Sequence, residues 1–287
     1  MSIQLIPYKP AGTIGSGPYV LREYKPDTGV DISALSITYT GAYTDYGMVT
    51  MSDGARYRLL AFTASGTLSI EQPVNCEVCV VGGGANGAKA TSSGGAGGAG
   101  AYLKSQSVSA YNGGRVVVGA SRSRSSIANV SVQAVSGRSG GTGGAAGNGF
   151  PAGKGDGISK YPFGDTGYSL WAGKPHCAGG GHGAYEFVAG AGDIRGTNGG
   201  DGGTNGGNGY PEGLGWVSLA SGGAGGIYGG GDGGDRTTEN GRGRNATYYG
   251  SGGGGGRGYE DAGGNLTLSN GGYGYQGIVY MRIPEIQ

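Results

Sequence analysis

Cys76 and Cys79 stand three apart in Val74-Asn-Cys-Glu-Val-Cys-Val-Val81, and Cys177 lies between His176 and His182. Thiolates and imidazoles are the ligands zinc prefers. The run around Cys76, however, alternates like a β-strand, and residues i and i+3 on a strand point to opposite faces. The pair therefore reads as buried structural thiols, and no metal site is expected. Gly82-Gly-Gly-Ala-Asn-Gly87 comes directly after that strand as a dinucleotide loop would, but such a loop needs a helix whose N-terminus holds the pyrophosphate. The next residues, Ala88-Lys-Ala-Thr-Ser-Ser-Gly-Gly-Ala-Gly-Gly98, are no helix, so no nucleotide or other cofactor is expected. Asp156, Asp165, Asp193, Asp201, Asp232 and Asp235 are scattered, without the tight alternation and closing Glu of a calcium loop. No serine sits in a nucleophile elbow, and neither histidine has a carboxylate partner nearby in sequence. No catalytic residue is assigned, and the chain reads as a non-enzyme.

Recognition is the chemistry that remains. Tyr161, Phe163, Tyr168, Trp171, Tyr185, Tyr210, Trp216, Tyr228, Tyr248 and Tyr249 interrupt the glycine blocks, often near Asn, Asp or Arg. Aromatic residues on loops supply rigid amphipathic contact area and stack on sugar rings. These ten are the candidate receptor contacts, against the alternative that they cap the ends of the glycine segments or lie at subunit contacts. The balance of 20 basic and 19 acidic residues leaves no footprint for nucleic acid. Arg122 and Arg124 form a local basic patch that reads as a solvated turn. No run approaches the roughly 20 apolar residues of a membrane span, and MSIQLIPYKP lacks the features of a secretory signal.

The elements that would hold these residues are strands. Short β-branched runs bounded by turn residues occur at 57–63, 66–70, 74–81, 100–104, 115–118, 129–135, 265–268 and 277–283. Alternation of Val74, Cys76, Val78 and Val80 suits a sheet with one buried face. No segment keeps an apolar period of 3.6 over ten residues, so helix is expected to be minimal. Residues 1–55, with Pro7, Pro10, Pro18 and Pro26, read as an arm with short strands, one of them running through Ile32, Leu35, Ile37 and Tyr39. Residues 56–287 read as a glycine-rich domain whose strands at 56–135 and 265–283 flank an insertion at about 137–264.

Glycine supplies 73 of the 287 residues, several times the roughly 7% of average usage. Its spacing separates this chain from a flexible linker. Gly94, Gly97 and Gly100 recur every third residue, as do Gly141, Gly144 and Gly147; Gly200, Gly203, Gly206 and Gly209; Gly223, Gly226 and Gly229; Gly252, Gly255 and Gly258; and Gly271, Gly274 and Gly277. Period three is the repeat of polyproline-II-type geometry, which makes no internal hydrogen bonds. Glycine at every third position clears one edge of side chains, so neighbouring backbones approach and bond laterally. The expected fold is all-β: a small β-sandwich or jelly-roll-like core with an inserted bundle of polyglycine-II helices.

Tyr57-Arg-Leu-Leu-Ala-Phe-Thr-Ala-Ser-Gly-Thr-Leu-Ser-Ile70, Cys79-Val-Val-Gly-Gly-Gly-Ala-Asn-Gly87, Gly98-Ala-Gly-Ala-Tyr102, Lys160-Tyr-Pro-Phe-Gly-Asp-Thr166, His176-Cys-Ala-Gly-Gly180 and Gly274-Tyr-Gln-Gly-Ile-Val-Tyr-Met-Arg-Ile-Pro284 together resemble the glycine-rich tail-fibre and adhesin proteins of bacteriophages and prophages. The layout is also similar to the glycine-rich region of anaplastic lymphoma kinase-type receptors. The first resemblance implies a homotrimeric virion component made in the bacterial cytoplasm. It would join other tail components through its N-terminal arm and bind a host cell-surface glycan or protein. A glycine-rich fibre that self-assembles without a receptor is the alternative. A depolymerase would need converging carboxylates, and the sequence offers none.

Overall fold

The computed structural model describes residues 30–91, 94–128, 133–134, 161–189, 192–202 and 217–285. Its regular structure is nearly all strand, with short 3-10 turns at Pro162–Gly164 and Glu239–Gly241 among the described residues. Among the described residues no helix is long and apolar enough to cross a membrane.

An eight-stranded antiparallel sheet runs in the order β2 (Tyr43–Thr50), β3 (Arg56–Phe62), β12 (Ile278–Pro284), β4 (Gly66–Val81), β5 (Leu103–Val117), β6 (Ser125–Ile127) and β7 (Gln133–Ala134), with β1 (Ile37–Tyr39) on β4. β4 and β5 are each longer than the sequence suggests. The runs at 66–70 and 74–81 are one strand through Pro73, and those at 100–104 and 115–118 are joined by 105–114. Pro73 has no N–H to give the ladder, and the β4–β5 register shifts between Ser69 and Val74 and again between Val74 and Cys76. Such irregularities bend a hairpin and let the sheet curl. The last residues of β12 pair back on β3, and β2 closes the edge, so strand pairing takes in residues 37–50 that read as part of an arm. Arg58 secures the adjoining chain. Its guanidinium donates to Asp45 Oδ2 at 2.6 and 3.1 Å and to the carbonyls of Ile32 and Leu35.

Both faces of the central strands are buried, where one was expected. Leu60, Phe62, Val78, Val80, Val279 and Met281 enter one apolar cluster, plugged by Ile32 and Leu35. Their alternates Leu59, Ala61, Cys79, Val81, Ile278 and Tyr280 enter a second, covered by Trp171 and Cys177. A strand buried on both sides reads as a continuous apolar run, which is what Val78-Cys-Val-Val81 is. Cys76 and Cys79 divide between the two clusters as the strand period requires, and no disulfide joins them.

Beyond this sheet the chain runs back and forth through glycine-rich segments. Residues 82–90, 177–184, 230–235 and 250–257 lead away from it; 94–101, 198–202, 220–226, 241–246 and 269–277 return. The segment 250–257 is at the centre. Its N–H groups turn in threefold sequence: those of Gly252, Gly255 and Gly258 donate to Ala178, Gly181 and Ala184, those of Gly253 and Gly256 to Ala85 and Ala88, and those of Gly254 and Arg257 to Arg244 and Gly241. Its carbonyls accept in the same period from 94–101, 230–235 and 269–277. All these bonds lie between 2.7 and 3.0 Å. A backbone surrounded by six others has no free edge, which accounts for the unbroken Gly252-Gly-Gly-Gly-Gly256. A Cβ on any of the five would collide with a neighbouring carbonyl oxygen, that of Asp232 in the case of Gly254.

A second, four-stranded sheet closes the far end: β11 (Leu266–Leu268), β10 (Gly258–Glu260), β8 (Tyr185–Val188) and β9 (Ile194–Thr197). The run at 265–268 therefore does not rejoin the first sheet, and β8 and β9 form from residues whose sequence shows no strand run. They extend the segments 177–184 and 250–257, whose lateral pairing puts β8 and β10 side by side in parallel.

Gly254→Ala is expected to lower stability by about 3 kcal/mol or more, because backbone rather than a flexible side chain must move. Gly263→Ala, which meets only the ends of Asn265 and Asp261 side chains, is expected to stay within about 1 kcal/mol. Thermal denaturation of the two variants checks the contrast.

Candidate functional site

Eight of the ten candidate contacts fall among the described residues; Tyr210 and Trp216 do not. Trp171 has no exposed surface and packs edge-on to Tyr168 and Tyr280, so its work is structural. Tyr161, Phe163, Tyr168 and Tyr249 pack around it against the second apolar cluster. Asp165 fixes this lid. Its carboxylate accepts from Ser52 and from the backbone N–H groups of Gly167 and Tyr168, and its carbonyl accepts from the Trp171 indole. Burial pushes the Asp165 carboxyl up, yet these hydrogen bonds outweigh it and hold the group below its ordinary value. Arg282 lies over the rings of Tyr57 and Phe163 and donates to Glu77 at 2.9 Å.

Tyr248 and Tyr249 enclose His176, whose Nε2 lies 3.0 Å from the Tyr280 hydroxyl. Burial lowers the His176 pKa to about 3. His182, also buried, donates from Nδ1 to the Gly183 carbonyl. The two histidines are thus core residues, and among the described residues no three His, Cys, Asp or Glu side chains gather as a metal site. Tyr185 is nearly buried on β8 and donates to Glu260 Oε2 at 2.7 Å. Tyr228 alone of the eight is exposed, at 54%, beside Ile227 in the turn that joins 220–226 to 230–235.

Sequence reasoning missed the chemistry at the opposite end. Glu186, on β8, is fully buried. Its Oε2 accepts from Arg257 Nε and Nη2 at 2.9 and 2.5 Å, and its Oε1 accepts from the Ala220 N–H at 3.1 Å and faces Arg236 Nη2 at 3.2 Å. A buried carboxylate needs one cation and full hydrogen bonding; this one has two guanidinium groups. Beside them opens a cleft of about 290 Å3 lined by Arg236, Thr238, Asn240, Gly241, Arg257, Tyr259, Thr267 and Ser269. Its rim is the turn 235–241, where Asp235 accepts from the N–H groups of Thr237 and Thr238 and Asn240 takes a left-handed φ of 51°. Asparagine is among the few non-glycine residues that hold this conformation readily. No signal in sequence joins positions 186, 236 and 257; only the alternating run of the segments brings them to one place.

The chain matches no known protein family, curated protein or solved structure.

His176 gives the fold a pH dependence of defined sign. Its pKa is lower folded than unfolded, so between about 6.5 and 3 the unfolded chain binds the extra proton. Stability is then expected to fall as pH drops through that window, by up to about 1.4 kcal/mol per unit for one group. Melting curves of wild type and His176→Gln at pH 7 and pH 5 should show a smaller acid loss in the variant.

Proposed function

We propose that this chain is an attachment protein of the phage tail-fibre or adhesin kind. In this reading a rigid bundle of polyglycine-II-type helices, inserted in a small jelly-roll-like core, holds loops against a bacterial cell surface. The observation that carries the reading is the enclosure of 250–257 by six hydrogen-bonded neighbours with a threefold repeat. Three residues per turn at about 3.1 Å each is the geometry in which backbones without side chains bond outward in three directions. It makes each segment a stiff strut of about 20 Å that ends in a turn or runs on into a short strand. Apart from the buried His182 and Ser251, large and polar residues gather in turns and on outer faces: Arg236, Thr237 and Glu239 in one turn, Asp261 and Asn265 in another. A scaffold whose interior has room for few side chains, with turns free to vary, suits a protein that must change its partner without changing its fold.

The composition and the resemblance to phage and prophage fibres support a location on a virion or otherwise outside the cell. The chain would assemble as a homotrimer and join other tail components through residues 1–55. A host surface glycan or protein is the partner. Of the two ends, the far one is the better candidate for contact, because the aromatic groups at the sheet end are taken up in packing.

Labelled purified protein is expected to bind intact bacteria of the host saturably, and unlabelled protein to compete. Failure to bind saturably across a panel of candidate hosts, together with open-ended filaments in electron micrographs, would favour a self-assembling fibre instead.

A further inference from the structure

We infer that the cleft beside Glu186 binds one residue of a carboxylated saccharide; this names the ligand class of the attachment surface and rests on that reading. Three features of the cleft point to this chemistry. Glu186 is fully buried and needs one positive charge, and Arg257 meets it with two donors on Oε2. Arg236 adds a second guanidinium at Oε1 while its own side chain stays 34% exposed. The Glu186–Arg236–Arg257 group itself therefore carries one surplus positive charge at the cleft wall, held in place by a buried partner, beside a rim turn whose Asp235 carboxylate is already engaged by backbone N–H groups. A carboxylate carries one negative charge and matches it; a phosphate monoester, at about −1.5 to −2, over-matches it. Guanidinium forks are also suited to bidentate carboxylate recognition.

The rest of the lining is neutral and hydroxyl-seeking. The Asn240 amide, the Thr267 hydroxyl and Arg257 Nη1 make no hydrogen bond to any described residue, so each keeps its capacity for a ligand. The hydroxyls of Thr238 and Ser269, by contrast, are spent on the carbonyls of Asp235 and Asn240 at 2.8 and 2.6 Å, fixing the wall. Arg257 also lies 4.9 Å over the ring of Tyr259, which adds an apolar surface next to the cation. A bare anion could accept from the amide and the hydroxyl but would have no use for the aromatic wall; a sugar ring bearing a carboxylate uses all three. At about 290 Å3 the cleft is at the small end of ligand sites, suited to one ring of a chain that passes on over the open rim.

The test is calorimetric titration of the full chain at low salt with trigalacturonate, with maltotriose as the neutral counterpart and inorganic phosphate as the bare anion. Trigalacturonate should bind saturably, and maltotriose at least tenfold more weakly. Arg236→Gln leaves the Arg257–Glu186 pair in place and should weaken trigalacturonate binding about tenfold or more. Thr267→Trp is a second variant, at an exposed position of β11 that does not touch Glu186; it should fill the cleft and abolish binding even if Arg236→Gln folds poorly. Equal affinity for maltotriose, unchanged binding by Thr267→Trp, or displacement of trigalacturonate by phosphate at equal concentration would each overturn the assignment. Cells bound normally by Thr267→Trp would remove the cleft and leave attachment standing. Trigalacturonate bound by a protein that adheres to no cell would do the reverse.

Discussion

Along the described glycine-rich segments the buried peptide groups find their hydrogen-bond partners chiefly on other segments, and the fold depends on that obligation. An unpaired buried N–H or C=O costs about as much as the hydrogen bond it lacks. Helices satisfy the requirement within a segment and sheets within a plane. Here the partners lie all around, because successive N–H groups of 250–257 turn by a third of a revolution and find 177–184, 82–90 and 241–246 in rotation. The three remaining neighbours donate to its carbonyls. No side chain fits between backbones at this spacing, so the hydrogen-bond requirement and the glycine content are one constraint seen twice.

Such a lattice is poorly supplied with hydrophobic energy. Net stabilisation of about 1 kcal/mol per backbone hydrogen bond is set against about 1–2 kcal/mol of backbone entropy for each residue ordered, and glycine loses the most. The lateral bonds alone leave little margin. The two apolar clusters on either face of the first sheet supply what the segments lack, and they do so at the place where 82–90, 250–257 and 269–277 are anchored. Gly250 abuts Val81 and Cys177 there, so the lattice and the core share a boundary. The far end is tied differently, by the small second sheet and by a buried carboxylate held between two arginines.

This division explains where the aromatic residues went. Tyr161, Phe163, Tyr168, Trp171, Tyr248 and Tyr249 are adjacent to glycine blocks in sequence, which looks like display on loops. In space they close the sheet end of the bundle, the one place with an apolar surface to cover. Their sequence neighbourhood is the same in either role, and burial separates the two. The far end, which has no buried apolar cluster of comparable size, gathers arginine, threonine and asparagine around the Glu186 cleft instead.

The sequence by itself determined the local rules. Alternation in 74–81 and the apolar run 278–283 dictated strands but pointed to one buried face; burial on both faces emerged only when both apolar clusters were in place. Runs of glycine at period three marked edges free of side chains; that 252–256 is enclosed by six neighbours emerged only in the structure. Composition gave a near-even balance of 20 basic and 19 acidic residues. Tertiary structure decided what depends on partners distant in the chain: that β4 continues through Pro73, because β1, β5 and β12 pair along its length; that 185–188 and 258–260 become strands, because their parent segments lie side by side; and that Glu186, Arg236 and Arg257 form one site. The physical reason is that periodicity is a property of neighbouring residues and is written locally. Which segment lies beside which is a choice among many similar glycine edges, and only the assembled lattice makes it.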